Sequence, residues 1–306
     1  MKSITSFILA CTLFIFSNMG LSAQEKGNSL LWKVSGNGLA QPSYLLGTHH
    51  YVQVSFFDSI PGFREVLENT EQIVGELLLV DQPAMQARIQ KEGLMPDSVT
   101  YNQLLSKEDY DKLDEGLKKI FPVGLDKLGQ FKPGMLTMFI TASMFKKNYP
   151  GFDPMTHESI DAYVQRTARE KGKPVLGLET IDEQVYALLC AVPLKEHAEQ
   201  LMCMMTHYDD EEEKEGLEAR LTCYKNGDLS RMYDLIYNNP DNPCQSFVKG
   251  HENGFFGART EKWANQLPRI MKDKPSLIAV GALHLVGEYG FINRLTKQGF
   301  TVEAVK

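Results

Sequence analysis

Gln72-Ile73-Val74-Gly75-Glu76-Leu77-Leu78-Leu79-Val80 is the stretch that decides the architecture. Its apolar residues are consecutive rather than alternating, so both faces of the segment expect burial. A strand inside a parallel sheet, covered by helices on both sides, has this pattern. Upstream, Pro61 can open a helix because its missing N–H needs no partner there. Phe63, Val66, Leu67 and Thr70 fall on one face of that helix. A polar-aromatic loop, Tyr51 to Ile60, and a strand, Ser43 to Leu46, precede it. Residues 43–80 therefore read as strand, loop, helix, strand, one right-handed crossover.

The same plan recurs along the chain. Ser29 to Val34 reads as a strand, and Gly36-Asn37-Gly38 supplies the turn chemistry for a hairpin with Ser43-Tyr44-Leu45-Leu46. A helix from about Ser159 to Lys171 stops at Gly172, and Pro174 to Leu178 follows as a strand. Near the end, Ser276 to Val280 is an apolar strand. A helix from about Gly287 to Gln298 ends at Gly299, and Phe300 to Val305 closes the chain as a strand. Residues 99–148 have helical spacing, with Pro122 and Pro133 as breakers. Residues 183–237 read as long charged helices. Their acidic run Asp209 to Glu213 is expected on a solvated face or loop, and Met202, Met204 and Met205 as core filler. The fold class is mixed α/β: a largely parallel central sheet flanked by helices, with a helical insertion at about 183–245.

The chain has 306 residues, 43% hydrophobic and 23% charged, which excludes disordered and collagen-like classes. A net charge of −7 argues against nucleic acid as a partner, since a phosphate-backbone binder needs a basic face. Residues 1–23 have a charged start at Lys2, an apolar run from Phe7 to Phe16 and a small-residue end at Ser22-Ala23. They read as a signal peptide, leaving 24–306 as one mature domain, periplasmic or extracellular. The apolar run is short of the ~20 residues that span a bilayer, so no stable membrane span is expected after its removal. Ile8-Leu9-Ala10-Cys11 faintly resembles a lipoprotein box, a minor alternative. Cys190, Cys203, Cys223 and Cys244 remain, and an oxidising compartment favours at least one bridge of undetermined pairing.

Two Gly-x-x-His motifs carry the chemistry: Gly47-Thr48-His49-His50 and Gly281-Ala282-Leu283-His284, each after an apolar strand. Ligands of open α/β sheets bind at that carboxyl edge. His49 adjoins His50, and adjacent side chains diverge, so only one of them is expected in the pocket. Glu76 interrupts its strand, where an unpartnered carboxylate would be costly; a salt bridge to Arg or Lys is the competing explanation. Glu179 ends the middle strand, with helix capping as its alternative. The crossover is expected to set Glu76 beside the strand leading to His50. Two imidazoles with one or two carboxylates have the composition of a divalent transition-metal site, in which a remaining Glu acts as base. His157, His197, His207 and His251 share no such context and read as surface or structural. There is no His-Glu-x-x-His, Gly-x-Ser-x-Gly or phosphate-cradling Gly-rich Lys loop.

The ordered set resembles the TraB/PrgY/GumN family, which also contains the Tiki metalloproteases. The resemblance rests on Gly47-Thr48-His49-His50 and Gly281-Ala282-Leu283-His284-Leu285-Val286-Gly287. It is supported by Leu31-Trp32-Lys33-Val34, Ser43 to Thr48, the Glu76 strand and Ser159-Ile160-Asp161. Leu178-Glu179-Thr180 with Gln184, and Arg259 before Trp263-Ala264, complete it. It implies a fold related to erythromycin-esterase and ChaN-like proteins, and a hydrolytic pocket of His50, Glu76, Glu179 and His284 with Arg259 nearby. In that reading His50, His284 and Glu76 hold zinc, manganese or cobalt, and Glu76 or Glu179 acts as base. Arg259 stabilises an oxyanion or holds Glu76, and Asp161 supports from behind. Thr260 stands where the family often has Asn. The expected activity is that of an exported metal-dependent hydrolase, a peptidase, acting on a peptide or small molecule. The rivals are a non-catalytic binding protein that sequesters a peptide or metal, and a metal-free esterase-like hydrolase with His50 as base.

Overall fold

A computed structural model describes residues 28–79, 82–149, 151–153, 156, 158–251 and 256–306. The expected targeting segment, Val80, His157 and the side chain of His251 lie outside these. Apolar runs that bury both faces become the middle of a six-stranded sheet. Its strands are β1 (Leu31–Gly36), β2 (Ser43–Thr48), β3 (Gln72–Leu77), β4 (Val175–Glu179), β5 (Ser276–Gly281) and β6 (Phe300–Ala304). Their order is β4-β3-β5-β2-β1-β6. β4, β3, β5 and β2 are mutually parallel, while β1 is antiparallel to both β2 and β6. The expected hairpin is therefore present, turning through Gly36, Asn37 and Gly38, all at positive φ.

One neighbour relation differs from expectation. Helix α1 (Phe63–Asn69) joins β2 to β3 as anticipated and buries Phe63, Val66 and Leu67, but β2 and β3 are not adjacent. β5 lies between them, with Gly75 opposite Ala279 and Leu46 opposite Ala279 on the other side. Glu76 thus stands beside the strand leading to His284, not beside the one leading to His50. The reason is physical: a crossover fixes strand direction but leaves room for a later, more apolar strand to enter the middle. β5 is that strand; Leu277, Ile278 and Val280 are fully buried.

Helices fill the intervals. Between β3 and β4 run α2 (Gln82–Glu92), α3 (Tyr101–Leu104), α4 (Lys107–Ile120), α5 (Leu125–Leu128), α6 (Pro133–Asn148) and α7 (Ile160–Glu170). Pro133 opens α6 at its first turn rather than breaking it. Between β4 and β5 run α8 (Ile181–Leu189), α9 (Leu194–Thr206), α10 (Glu211–Lys225), α11 (Leu229–Tyr237), α12 (Gln245–His251) and α13 (Gly257–Asp273). The acidic run leads into α10: Asp210 precedes the helix and Glu211, Glu212 and Glu213 form its first turn, the first two exposed and Glu213 half-buried, where carboxylates complement the helix dipole. Met202 and Met205 join a second core with Leu113, Leu117, Leu136 and Ile140. The last helix, α14 (Phe291–Lys297), starts later than expected: Gly287 takes a left-handed turn and Gly290 is the cap. Gly299, at φ +89°, ends it as anticipated. One disulfide, Cys203–Cys244, ties α9 to the segment before α12, and Cys190 and Cys223 are thiols.

Packing fixes the far end of β3. Gln165 of α7, 2% exposed, donates to Leu77 O (2.8 Å) and accepts from Leu79 N–H (2.9 Å). Gly75 lies beneath it, and a Cβ there would have to displace the Gln165 amide.

Candidate active site

β5 delivers the first functional group. Gly281 ends the strand, and a 3-10 turn, Ala282–Leu285, carries His284 back over the edge. A Cβ at Gly281 would sit 3.2 Å from Glu76 Oε1 and 3.6 Å from the His284 ring. Glycine keeps that space open, and its N–H donates to Glu76 Oε1 at 2.7 Å. His284 is 4% exposed and lies between Phe256 (ring centroids 4.2 Å apart) and Trp263 (4.6 Å).

Hydrogen-bond bookkeeping assigns the tautomer of His284. Thr260 Oγ1 donates to Phe256 O (2.8 Å) and lies 2.6 Å from His284 Nδ1. A hydroxyl has one proton, so Nδ1–H donates to Thr260. The other ring nitrogen, Nε2, lies 3.9 Å from Glu76 Oε1. The residue that departs from the family's usual Asn thus supplies the supporting hydrogen bond itself.

β3 and β4 deliver the carboxylates, and α13 the cation between them. Arg259 is bidentate on Glu179, with Nε to Oε2 at 2.8 Å and Nη2 to Oε1 at 2.5 Å. The same Nη2 reaches Glu76 Oε2 at 3.2 Å. The guanidinium lies 4.2 Å from the Trp263 ring centroid, a cation–π contact that fixes its plane. Burial pushes the Glu76 carboxyl above its ordinary range, against the opposing pull of Arg259 and His50. Glu76 is thus in the ion pair that its sequence offered as the competing reading, and it stands 3.9 Å from His284. Capping does not explain Glu179. Thr180 and Glu183 cap α8 between them, while Glu179 is the last residue of β4 and is 8% exposed.

β2 delivers Thr48 and His50. Thr48 Oγ1 donates to Asp161 Oδ1 (2.9 Å), and His50 Nδ1 pairs with Asp161 Oδ2 (3.2 Å). Asp161 stands in the first turn of α7, capped by Ser159. The contact with Asp161 raises the proton affinity of His50, which also feels the charges of Glu76 and Arg259. The His50 ring is 64% exposed, so solvent screens this pair and moderates the upward shift. His49 turns the other way as expected, into an aromatic cluster with Tyr224 (5.0 Å) and Phe145 (5.8 Å). Burial there lowers it to about 3, so it is neutral.

Glu76, Glu179, Arg259 and His284 thus form one contiguous cluster, while His50 pairs with Asp161 and is near enough to feel the charges of Glu76 and Arg259. Gly281 N–H, Thr48 and the Phe256–Trp263 sandwich were not legible as parts of it. Their roles depend on contacts across more than 100 positions for Gly281 and Thr48, and no local spacing announces them.

The profile of the TraB/PrgY/gumN family matches residues 30–304. The chain belongs to this family. Over 334 aligned positions this TraB/PrgY/gumN member is 22% identical to a protein named "Metalloprotease TIKI homolog" from Nematostella vectensis. The alignment covers 92% of the chain and 68% of that protein. No solved structure matches it. No helix among the described residues is long and apolar enough to cross a membrane.

The donor types at the site fit a divalent ion. Both imidazoles have Nδ1 held by a protein group, Asp161 or Thr260, which is the support a ligating His needs. Glu76 Oε1 faces His284 Nε2. The spacing is less favourable: among the described residues, no three His, Cys, Asp or Glu side chains stand together as a metal-holding group.

Proposed function

We propose that this TraB/PrgY/gumN member is an exported hydrolase of the peptidase type, with its reacting centre at the carboxyl edge of β2, β5 and β3. The observation that carries the reading is the buried Arg259–Glu76–Glu179 cluster set against His284. Such a group is costly to bury and contributes little to folding that apolar packing would not. The name of the Nematostella relative favours peptide as substrate and metal as cofactor. Export rests on the sequence of residues 1–23.

The side chains divide the labour. Glu76, with its proton affinity raised by burial, suits proton uptake from water, since a base works best when its pKa approaches the working pH. Arg259 places a positive charge where a tetrahedral oxyanion needs one. Glu179 orients Arg259, and Thr260 holds His284 by its Nδ1. His50 beside Asp161 favours the protonated form, so it suits proton donation to a leaving group. That argues against His50 as the base of a metal-free esterase. With a divalent ion bound, which acidifies water and polarises a carbonyl, His50, His284 and Glu76 would be its ligands, His50 then neutral and no longer the proton donor, and Glu179 would take the base role.

The test compares wild type with His50→Ala and His284→Ala after loading with zinc, manganese or cobalt, reading metal by elemental analysis and peptide cleavage by mass spectrometry. Loss of both metal and cleavage is expected. Unchanged metal content and unchanged cleavage would refute the proposal. Stoichiometric peptide binding without product would select a sequestering protein instead.

A further inference from the structure

The helices between the strands enclose a cavity of ≈ 370 Å³ that the chemistry described so far does not use. Its lining includes Met144, Met204, Leu217, Met232, Ile236 and His49. The position of His49 matters most. It is the chain neighbour of His50, so the wall of this cavity and the reacting edge are successive residues of one loop, with Cα atoms ~3.8 Å apart. The divergence of adjacent side chains sends His50 to Asp161 and His49 to the cavity.

The walls have the properties of a built recess. Cys244 lines it, and its disulfide to Cys203 covalently joins two of the surrounding segments. Tyr224 and Phe145 pack against His49 and hold its ring in place. Three methionines face the interior; their flexible, polarisable chains accommodate more than one apolar shape. Polar groups are placed at Glu213 and Arg220, which satisfy each other at 2.7 Å, and at His207, which pairs with Asp210 at 2.6 Å. Among the described lining residues, the cation Arg220 and the carboxylate Glu213 are paired with each other, so neither sign of charge is in excess. The volume lies at the lower end of ligand pockets, suited to one large side chain with part of its backbone.

We infer that this cavity is the subsite that receives a large apolar side chain of a peptide substrate, of the Phe, Met or Leu class, beside the bond presented to His50 and Glu76. The inference rests on the hydrolase reading for the bond but not for the binding. It also accounts for the helical insertions, since α6, α9, α10 and α11 supply the specificity wall while the sheet supplies the reacting groups.

The test uses the full chain and a fluorescein-labelled peptide of Gly and Ser with one central Phe, against counterparts carrying Asp or Ala there. Anisotropy reads binding, and mass spectrometry reads cleavage. Ile236→Trp and Met204→Trp each push a ring into the void from a half-buried position, so the fold has room to keep its helices, checked by circular dichroism. Wild type is expected to bind the Phe peptide at least about tenfold tighter than the Asp peptide. Both Trp variants are expected to lose that preference, and His50→Ala to keep it. Equal binding of the Phe and Asp peptides by wild type, or a preference that survives in both Trp variants, overturns the inference. Cleavage with no preference for Phe also overturns it and leaves the hydrolase reading standing. Preference without any cleavage upholds the subsite and removes the hydrolase reading.

Discussion

Replacing Arg259 by Leu would expose what holds the acidic cluster together. Leu keeps apolar contact with Trp263 but removes every hydrogen bond the guanidinium makes to Glu76 and Glu179. Both carboxylates are enclosed, with side chains 12% and 3% exposed, so water cannot replace the lost donor in full. Breaking a buried pair by deleting one partner costs about 3–5 kcal/mol. The sign of the pH dependence comes from Glu76. Burial already raises its folded pKa, and losing the guanidinium raises it further. A carboxyl with a raised folded pKa is relatively stabilised while protonated, below its unfolded pKa, and loses that contribution as pH rises through the folded one. The deficit of Arg259→Leu should therefore be largest near pH 8 and shrink toward pH 5, by roughly 1 kcal/mol or more. Urea unfolding followed by circular dichroism at those pH values, with equal slopes in both proteins, reads the difference directly. A deficit under about 1 kcal/mol at both pH values, as for a surface pair, would refute the claim that this cluster is buried and mutually dependent.

Thr260→Val removes the acceptor of His284 Nδ1–H in a fully buried position; about 1–3 kcal/mol of stability and most hydrolysis should go, while Thr260→Ser retains both, measured side by side. Asp161→Asn should lower the His50 pKa, because the carboxylate contact is the main cause of its rise; an NMR titration that leaves the His50 ring signal unmoved would contradict the pairing. Reducing Cys203–Cys244, or Cys244→Ser, opens a loop of sequence separation 41 and should lower stability by about 2–4 kcal/mol; an unchanged melting temperature in dithiothreitol would show the bridge to be idle.

Much of the frame was written locally. Consecutive apolar residues marked β3 and β5, glycine and proline punctuation placed the hairpin, the start of α1 and the ends of α7 and α14, and two Gly-x-x-His motifs marked the edge where the proposed site lies. Glu76 and Glu179 declared themselves by being charged where their surroundings are apolar. Patterns of this kind depend on side-chain spacing within one element, and such spacing survives in a one-dimensional string. The helical segments from 82 to 148 were less legible in detail, because their second core with α9 is assembled from pieces far apart in the chain.

Neighbours were another matter. Only tertiary packing decided that β5 enters between β2 and β3, giving Glu76 an N–H donor 205 positions away and taking it from the side of His50. It also decided that Arg259 bridges two carboxylates, that Thr260 orients His284, and that His49 faces a cavity built by helices from both insertions. Sequence determines which segments are strands and where their charges fall, because burial preference is a property of each residue. Strand order and side-chain partnership arise from competition among distant segments for the same edge, and that competition is settled only when the whole chain is packed.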